Sequence, residues 1–208
     1  MIRLWGRPSS VNVQKALWAL DELGEPFEHI IVGGRYGGID TPEFRALTPI
    51  PRVPVLQDGD LTLWESHAIV RHLARTKGAP LAPAERDWAI ADQWMDYVTS
   101  TVQPTFIRLF WHLVRTKPED RDDARLPALR KALSAALGPI EARLGSSEWL
   151  AGDAFSMAEI AAGSMFYRAK DLCDPFDGNP NIAQWYSQIT RRPAYVKTVM
   201  TSYEELRA

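Results

Sequence analysis

The chain is nearly without cysteine. Cys173 is the single one among 208 residues. An intramolecular disulfide and a protein-borne Cys-x-x-Cys redox pair are both excluded, which fits a reducing compartment. An excess of one charge is also missing. The 24 Lys and Arg against 26 Asp and Glu leave a net charge of -2, so nucleic acid is not an expected partner. Four histidines are present, His29, His67, His72 and His112, but none of the spacings of a zinc site. No metal is expected. The sequence has no apolar run long enough to cross a bilayer and no basic-then-apolar leader at Met1. The expectation is a soluble, cytoplasmic protein without a membrane partner.

What remains is 46% hydrophobic content, enough for a sizeable core in one or two domains. The first third alternates between strand and helix signals. Ile2 to Trp5 is a short alternating run stopped by Gly6 and Pro8. From Asn12 to Leu23 the apolar residues Val13, Ala16, Leu17, Leu20 and Leu23 recur at helical spacing, and Gly24 ends the helix. Phe27 to Val32 reads as a strand and Pro42 to Leu47 as one or two helical turns. Val53 to Leu56 and Leu61 to Trp64 are short strands joined at Asp58-Gly59, a hairpin signal. A helix over Glu65 to Lys77 follows. Beyond the proline-rich Gly78 to Ala84 no strand is predicted. Helical patterns cover 88–114, 124–144, 157–172, 182–190 and 194–203, with Pro104 and Pro139 expected to kink or divide two of them. The boundaries expected are a first domain over 1–77, a linker over 78–86 and an all-helical domain over 87–208.

The stretch Arg52 to Leu73, RVPVLQDGDLTLWESHAIVRHL, carries the chemistry. Pro54 sits between Val53 and Val55 and cannot donate to a sheet ladder. A cis bond at Val53-Pro54 turns the backbone outward and leaves the N–H and C=O of Val53 free. Those groups accept an extended peptide as an added strand. Glu65-Ser66 opens a helix whose free N–H groups and positive end attract a carboxylate. The Ser66 hydroxyl adds a donor, and Glu65 an acceptor for an ammonium. A backbone ladder thus lies beside a reader for an α-amino-acid head group.

On these residues the chain resembles the cytosolic glutathione S-transferases, as a bacterial serine-type, theta- or nu-like member. VPVL, DG and LWESHAI match that family's cis-proline and Glu-Ser glutathione motifs. AGDAFSMAEIAA matches its second-domain capping motif, in which Ser156 caps a helix and Glu159 reaches back, with Phe155 and Ile160 placed as a hydrophobic staple. The family usually has Asp where Glu159 stands. RRPAY, Arg191 to Tyr195, matches its C-terminal region. Pro51 stands where the family commonly has Gly. The resemblance implies an α+β fold: a thioredoxin-like βαβαββα domain that binds glutathione, followed by an all-α domain. It also implies glutathione as co-substrate, a small hydrophobic electrophile, a detoxifying role and a homodimer.

Glutathione brings its own sulfur, so the protein has only to hold it as thiolate. Lowering a thiol pKa of ~8.5 by two units needs roughly 2.7 kcal/mol of preferential anion stabilisation. The resemblance places Ser10 on the catalytic hydroxyl and Asn12 as a second polar contact to sulfur, with Ser9 the alternative to Ser10. Cofactor-binding candidates are Val53, Pro54, Glu65 and Ser66, with Arg35 for the glycine carboxylate. Within the aromatic-rich 94–113, Tyr97, Phe106, Arg108 and Trp111 are expected to line the electrophile pocket. Three functions stay open: conjugation of glutathione, glutathione-dependent disulfide or peroxide reduction, and non-catalytic glutathione binding.

Overall fold

The computed structural model describes residues 1–208. Strands β1 (Ile2–Trp5), β2 (Phe27–Ile30), β3 (Val55–Asp58) and β4 (Leu61–Trp64) form one mixed sheet in the order β2-β1-β3-β4. β1 runs parallel to β2 and antiparallel to β3, and β3 and β4 form a hairpin in which Asp58 pairs Leu61. The sequence alternation is realised in β1, where Ile2 and Leu4 are buried and Arg3 is exposed. Helices α1 (Val11–Leu23), α2 (Pro42–Leu47) and α3 (Ser66–Lys77) complete this part. Seven further helices follow with no added strand: α4 (Trp88–Tyr97), α5 (Gln103–Phe110), α6 (Leu126–Leu144), α7 (Met157–Gly163), α8 (Phe166–Cys173), α9 (Pro180–Ile189) and α10 (Pro193–Thr198).

α1 is the centre of the molecule. Its residues Val13 to Leu20 are all buried, Gln14 and Lys15 among them, because it packs on α3 on one side and on α7 and α10 on the other. One apolar cluster therefore runs from Leu4 and Leu56 through Trp18 to Ile160 and Tyr195. No helix is long and apolar enough to cross a membrane.

Four expectations about helix ends and breaks are corrected. Pro104 does not divide its helix. Residues 88–115 stay helical because the turn over 98–102 widens to a π-turn ahead of the proline. Pro139 lies inside α6 on its exposed face, and the helix runs through it from Leu126 to Leu144. The pattern over 157–172 is two helices, α7 and α8. The Gly163 carbonyl accepts instead from the Tyr195 hydroxyl at 3.2 Å, and a Cβ there would stand 3.1 Å from Trp18 and Ile189. Likewise 194–203 is helical only to Thr198. The remaining tail folds back across the protein to a short 3-10 turn, Glu204–Leu206.

The capping motif forms as expected. Glu159, fully buried, accepts from the backbone N–H of Leu150 (2.7 Å) and Ser156 (2.8 Å) and from the Ser156 hydroxyl (2.8 Å). Burial outweighs these donors and raises its carboxyl to about 7. The Ser156 hydroxyl accepts in turn from Ala158 N–H, closing the first turn of α7. Ser156→Ala should cost about 1–2 kcal/mol and lower Tm by about 2–6 °C. Calorimetry showing an unchanged Tm would mean the box does not stabilise α7.

Candidate functional site

Two clefts adjoin at Val53. One is lined by Asn12, Arg52, Val53, Pro54, Glu65 and Ser66, the other by Arg7, Ser10, Gly34, Pro51, Arg52 and Val53. The Val53-Pro54 peptide is cis, and ladder pairing begins only at Val55, which faces Trp5 and Trp64. The loop before it is braced by Thr48, whose hydroxyl donates to the Ile50 carbonyl at 3.0 Å. The six residues Ser10, Asn12, Val53, Pro54, Glu65 and Ser66 are thereby brought together.

Both helices that start here leave their first N–H groups open to the clefts. Ser10 precedes α1 and Glu65 precedes α3, and neither side chain folds back to cap its own helix. No acidic residue sits in the first turn of either helix, so the positive end of each dipole acts on the cleft. Glu65 takes φ 72° and ψ 116°, a region costly for a residue with a Cβ. Ser66 is 5% exposed, and its hydroxyl keeps no protein partner while lining the cleft.

Ser9 and Ser10 have different environments. Ser9 is 3% exposed, donates its hydroxyl to Glu205, and gives its carbonyl to Arg168 Nη2 at 2.8 Å. Ser10 is partly exposed and its hydroxyl is free on the cleft wall.

Beneath the site lies a buried polar network that sequence reading missed. Lys15 is 1% exposed, and its ammonium lies 2.9 Å from His67 Nε2, 2.5 Å from Gln103 Oε1 and 3.3 Å from Asn12 Oδ1. His67 Nδ1 lies 2.5 Å from Thr99 Oγ1, whose own hydroxyl donates to the Met95 carbonyl. The chain of donors assigns the imidazole: Nδ1 carries the proton and Nε2 accepts from Lys15. Gln103 Nε2 also donates to Asn12 Oδ1 at 3.0 Å. With its oxygen doubly occupied, Asn12 turns its NH₂ to the cleft. Burial pushes Lys15 down to about 7 against the pull of Glu65, and burial followed by Lys15 and Arg71 holds His67 far below its usual value. The π-turn over 98–102 brings Thr99 and Gln103 to this network. Only its polar position within an apolar helix face hints at Lys15 in the sequence.

The other candidates lie outside these two clefts. Arg35 lines a neighbouring groove with Ser9, Tyr36 and Glu205. It pairs with Glu205 at 2.8 Å and hydrogen-bonds the Tyr36 hydroxyl, and those two contacts raise its pKa. Arg52, adjacent to Val53, lines both clefts in its place. Phe106 is 2% exposed in the core, Tyr97 packs edge-on against Trp94 and donates to the Ala136 carbonyl, and Arg108 faces solvent. Helix periodicity turns these three away from a pocket. Trp111 is 58% exposed with Arg115 stacked over its ring at 5.7 Å.

Comparison with known proteins agrees with this geometry. Residues 1–75 match the model of the glutathione S-transferase N-terminal domain, and residues 123–187 match that of its C-terminal domain. The chain belongs to the glutathione S-transferase family. Glutathione S-transferase GstB of Escherichia coli (strain K12) is 39% identical over 96% of this chain and 98% of its own. Glutathione S-transferase 3 of Zea mays is 32% identical over 95% and 93%. The theta class glutathione S-transferase of Xanthomonas axonopodis pv. citri, solved with glutathione bound, superposes with a TM-score of 0.91 at 43% identity, covering 97% of this chain and 98% of that one. A transferase role fits this membership.

Lys15 makes a testable contribution to pH dependence. Its folded pKa of about 7 lies below the ordinary 10.5. The unfolded chain therefore binds this proton more tightly, and stability rises with pH from about 7 towards 10.5 and is flat in this group below 7. The slope is at most about 1.4 kcal/mol per pH unit for one proton. Denaturant unfolding of Lys15→Met should lack that component of the rise. Parallel curves for the two proteins would show that Lys15 does not titrate in this window.

Proposed function

We propose that this transferase conjugates glutathione to a small hydrophobic electrophile, with Ser10 donating its hydroxyl hydrogen to the glutathione thiolate. The observation that carries this reading is the contrast between the two serines. The Ser9 hydroxyl is consumed by Glu205, whereas Ser10 stands free at the start of α1 beside Val53. A preorganised donor at a helix N-terminus supplies the few kcal/mol needed to ionise the thiol at neutral pH. The Asn12 NH₂ is a second donor on the same wall. The γ-glutamyl head group lies at the start of α3, its carboxylate on the Ser66 hydroxyl and helix N–H groups and its ammonium on the Glu65 carboxylate. The cysteinyl backbone extends the sheet at Val53, and Arg52 is the cation available to the glycine carboxylate. In the reaction the sulfur lone pair forms the C–S bond, the leaving group departs with its own electron pair, and the thiol proton has already passed to water.

Burial raises the Cys173 thiol to about 11, away from the thiolate form, and it lies at the end of α8 on a cleft that shares no residue with the two above. A reductase reading would run on glutathione alone.

Ser10→Ala should raise the pKa of bound glutathione and slow turnover by about tenfold to a hundredfold. Ser66→Ala should instead weaken glutathione binding by about 1–2 kcal/mol. Thiolate absorbance against pH reads the first effect and calorimetry the second. A shifted titration in Ser9→Ala with none in Ser10→Ala would transfer the donor role to Ser9.

The reading includes a symmetric homodimer. β4 is an edge strand that presents Leu61 at 42% and Trp64 at 38% exposure, and Trp64 also lines the cleft. Sedimentation at micromolar concentration should give twice the 23.4 kDa of one chain. Leu61→Lys should shift it towards monomer, and a wild-type monomer would overturn the assignment.

A further inference from the structure

Next to Ser10 the protein collects positive charge that it neutralises only in part. Arg7 shares the Ser10 cleft. Its Nη1 comes 2.6 Å from the point where a Cβ would stand on Gly34, which has φ +59°. Glycine at 34 is what lets the guanidinium lie there. Arg7 Nε is buried without a partner, and the side chain forms no ion pair. Arg168, from α8, is 3% exposed. It gives Nη2 to the Ser9 carbonyl and to Gln14, lies over the rings of Phe110 and Tyr203, and leaves Nε unpartnered. Arg115, at the end of the long helix, meets only the Trp111 ring. The three guanidiniums are close enough to repel one another. Burial and then Arg115 lower Arg7 against the pull of Glu205, while burial, Arg7 and Arg115 bring Arg168 to about 10 against Tyr203. Glu205 is the carboxylate that pulls on Arg7, and it is already held by Arg35, the Tyr36 hydroxyl and the Ser9 hydroxyl.

A partly desolvated guanidinium that no carboxylate pairs directly is an anion site. Glutathione has other partners for its two carboxylates, at the start of α3 and at Arg52. We propose that Arg7 and Arg115, backed by Arg168, read an anionic group on the electrophile, so that the preferred second substrate is a small apolar molecule carrying a carboxylate or a comparable anion. The exposed Trp111 ring supplies the apolar wall beside Arg115. This rests on the conjugation reading above. For an aryl halide the thiolate sulfur bonds the halide-bearing carbon, the carbon–halogen bond breaks, and halide leaves with the electron pair.

The test compares 4-chloro-3-nitrobenzoate with 4-chloro-3-nitrobenzamide, near-isosteres that differ in charge. Each kcat/KM is divided by the rate of the uncatalysed reaction with glutathione, and the ratio of benzoate to benzamide is the readout. The ratio should be about tenfold or more in the wild type, the scale of discrimination a charged, hydrogen-bonded group provides. It should fall about tenfold in Arg115→Gln, a partly exposed position whose replacement does not disturb the core, and in Arg7→Gln, with Arg7→Lys retaining part of it. A wild-type ratio near one, with the benzamide turned over, overturns the proposal and leaves the conjugation reading standing. Variants that raise KM for glutathione without changing the ratio also overturn it, because the arginines would then read glutathione's own carboxylate. Turnover of neither compound overturns conjugation and this inference together.

Discussion

A buried ammonium must be hydrogen-bonded or be neutral, and that constraint organises the ground beneath the site. Lys15 Nζ meets acceptors from three elements: Asn12 within α1, His67 in α3 and Gln103 in α5. Each acceptor has its other polar atom committed or directed as a result. His67 is fixed as the Nδ1–H tautomer by Lys15 on one side and Thr99 on the other. Asn12 has its oxygen turned inward and its NH₂ turned to the cleft. His67 is the residue after Ser66, so the same contacts hold the start of α3 in register with the start of α1. The network also spans the two halves of the chain, since Thr99 and Gln103 belong to the helical part.

The site above uses a different kind of electrostatics. Two helix N-termini, two free hydroxyls and one amide face the adjoining clefts without acidic compensation in the first turns. Such groups are fixed before any ligand arrives, so their orientation costs nothing when negative charge develops on sulfur or is brought by a carboxylate. The arginines beyond Ser10 extend the same field with full charges. Glu205 limits it from the far side. Through Arg35, Tyr36 and Ser9 it ties the C-terminal turn to the loop after β2 and to the loop after β1.

Much of this was legible in order along the chain. Strand alternation in Ile2 to Trp5, the Asp58-Gly59 turn, the capping box at Ser156 and Glu159, and the Val53-Pro54 and Glu65-Ser66 pairs are local patterns, and local patterns survive folding. The pairing of Arg35 was not legible because nothing near it in sequence announces Glu205, 170 residues away. The surroundings of Tyr97 and Phe106 were not legible because an aromatic on a helix reads the same whether it faces a pocket or a core. Pro104 and Pro139 were expected to kink or divide their helices, and neither divides one, because the cost of proline in a helix depends on context such as the widened turn before Pro104.

The sequence by itself determined which elements exist, where the backbone opens at Val53, and that two helix starts carry hydroxyls. These depend on residues within one turn or one strand of each other, where sterics and hydrogen-bonding geometry act directly. Only the tertiary structure decided that Ser9 is occupied and Ser10 free, that Lys15 is buried rather than solvated, and that Arg7, Arg115 and Arg168 converge. Burial and charge proximity are properties of groups far apart in the chain, and they acquire values only when α1 is enclosed between the sheet domain and the helices that follow it.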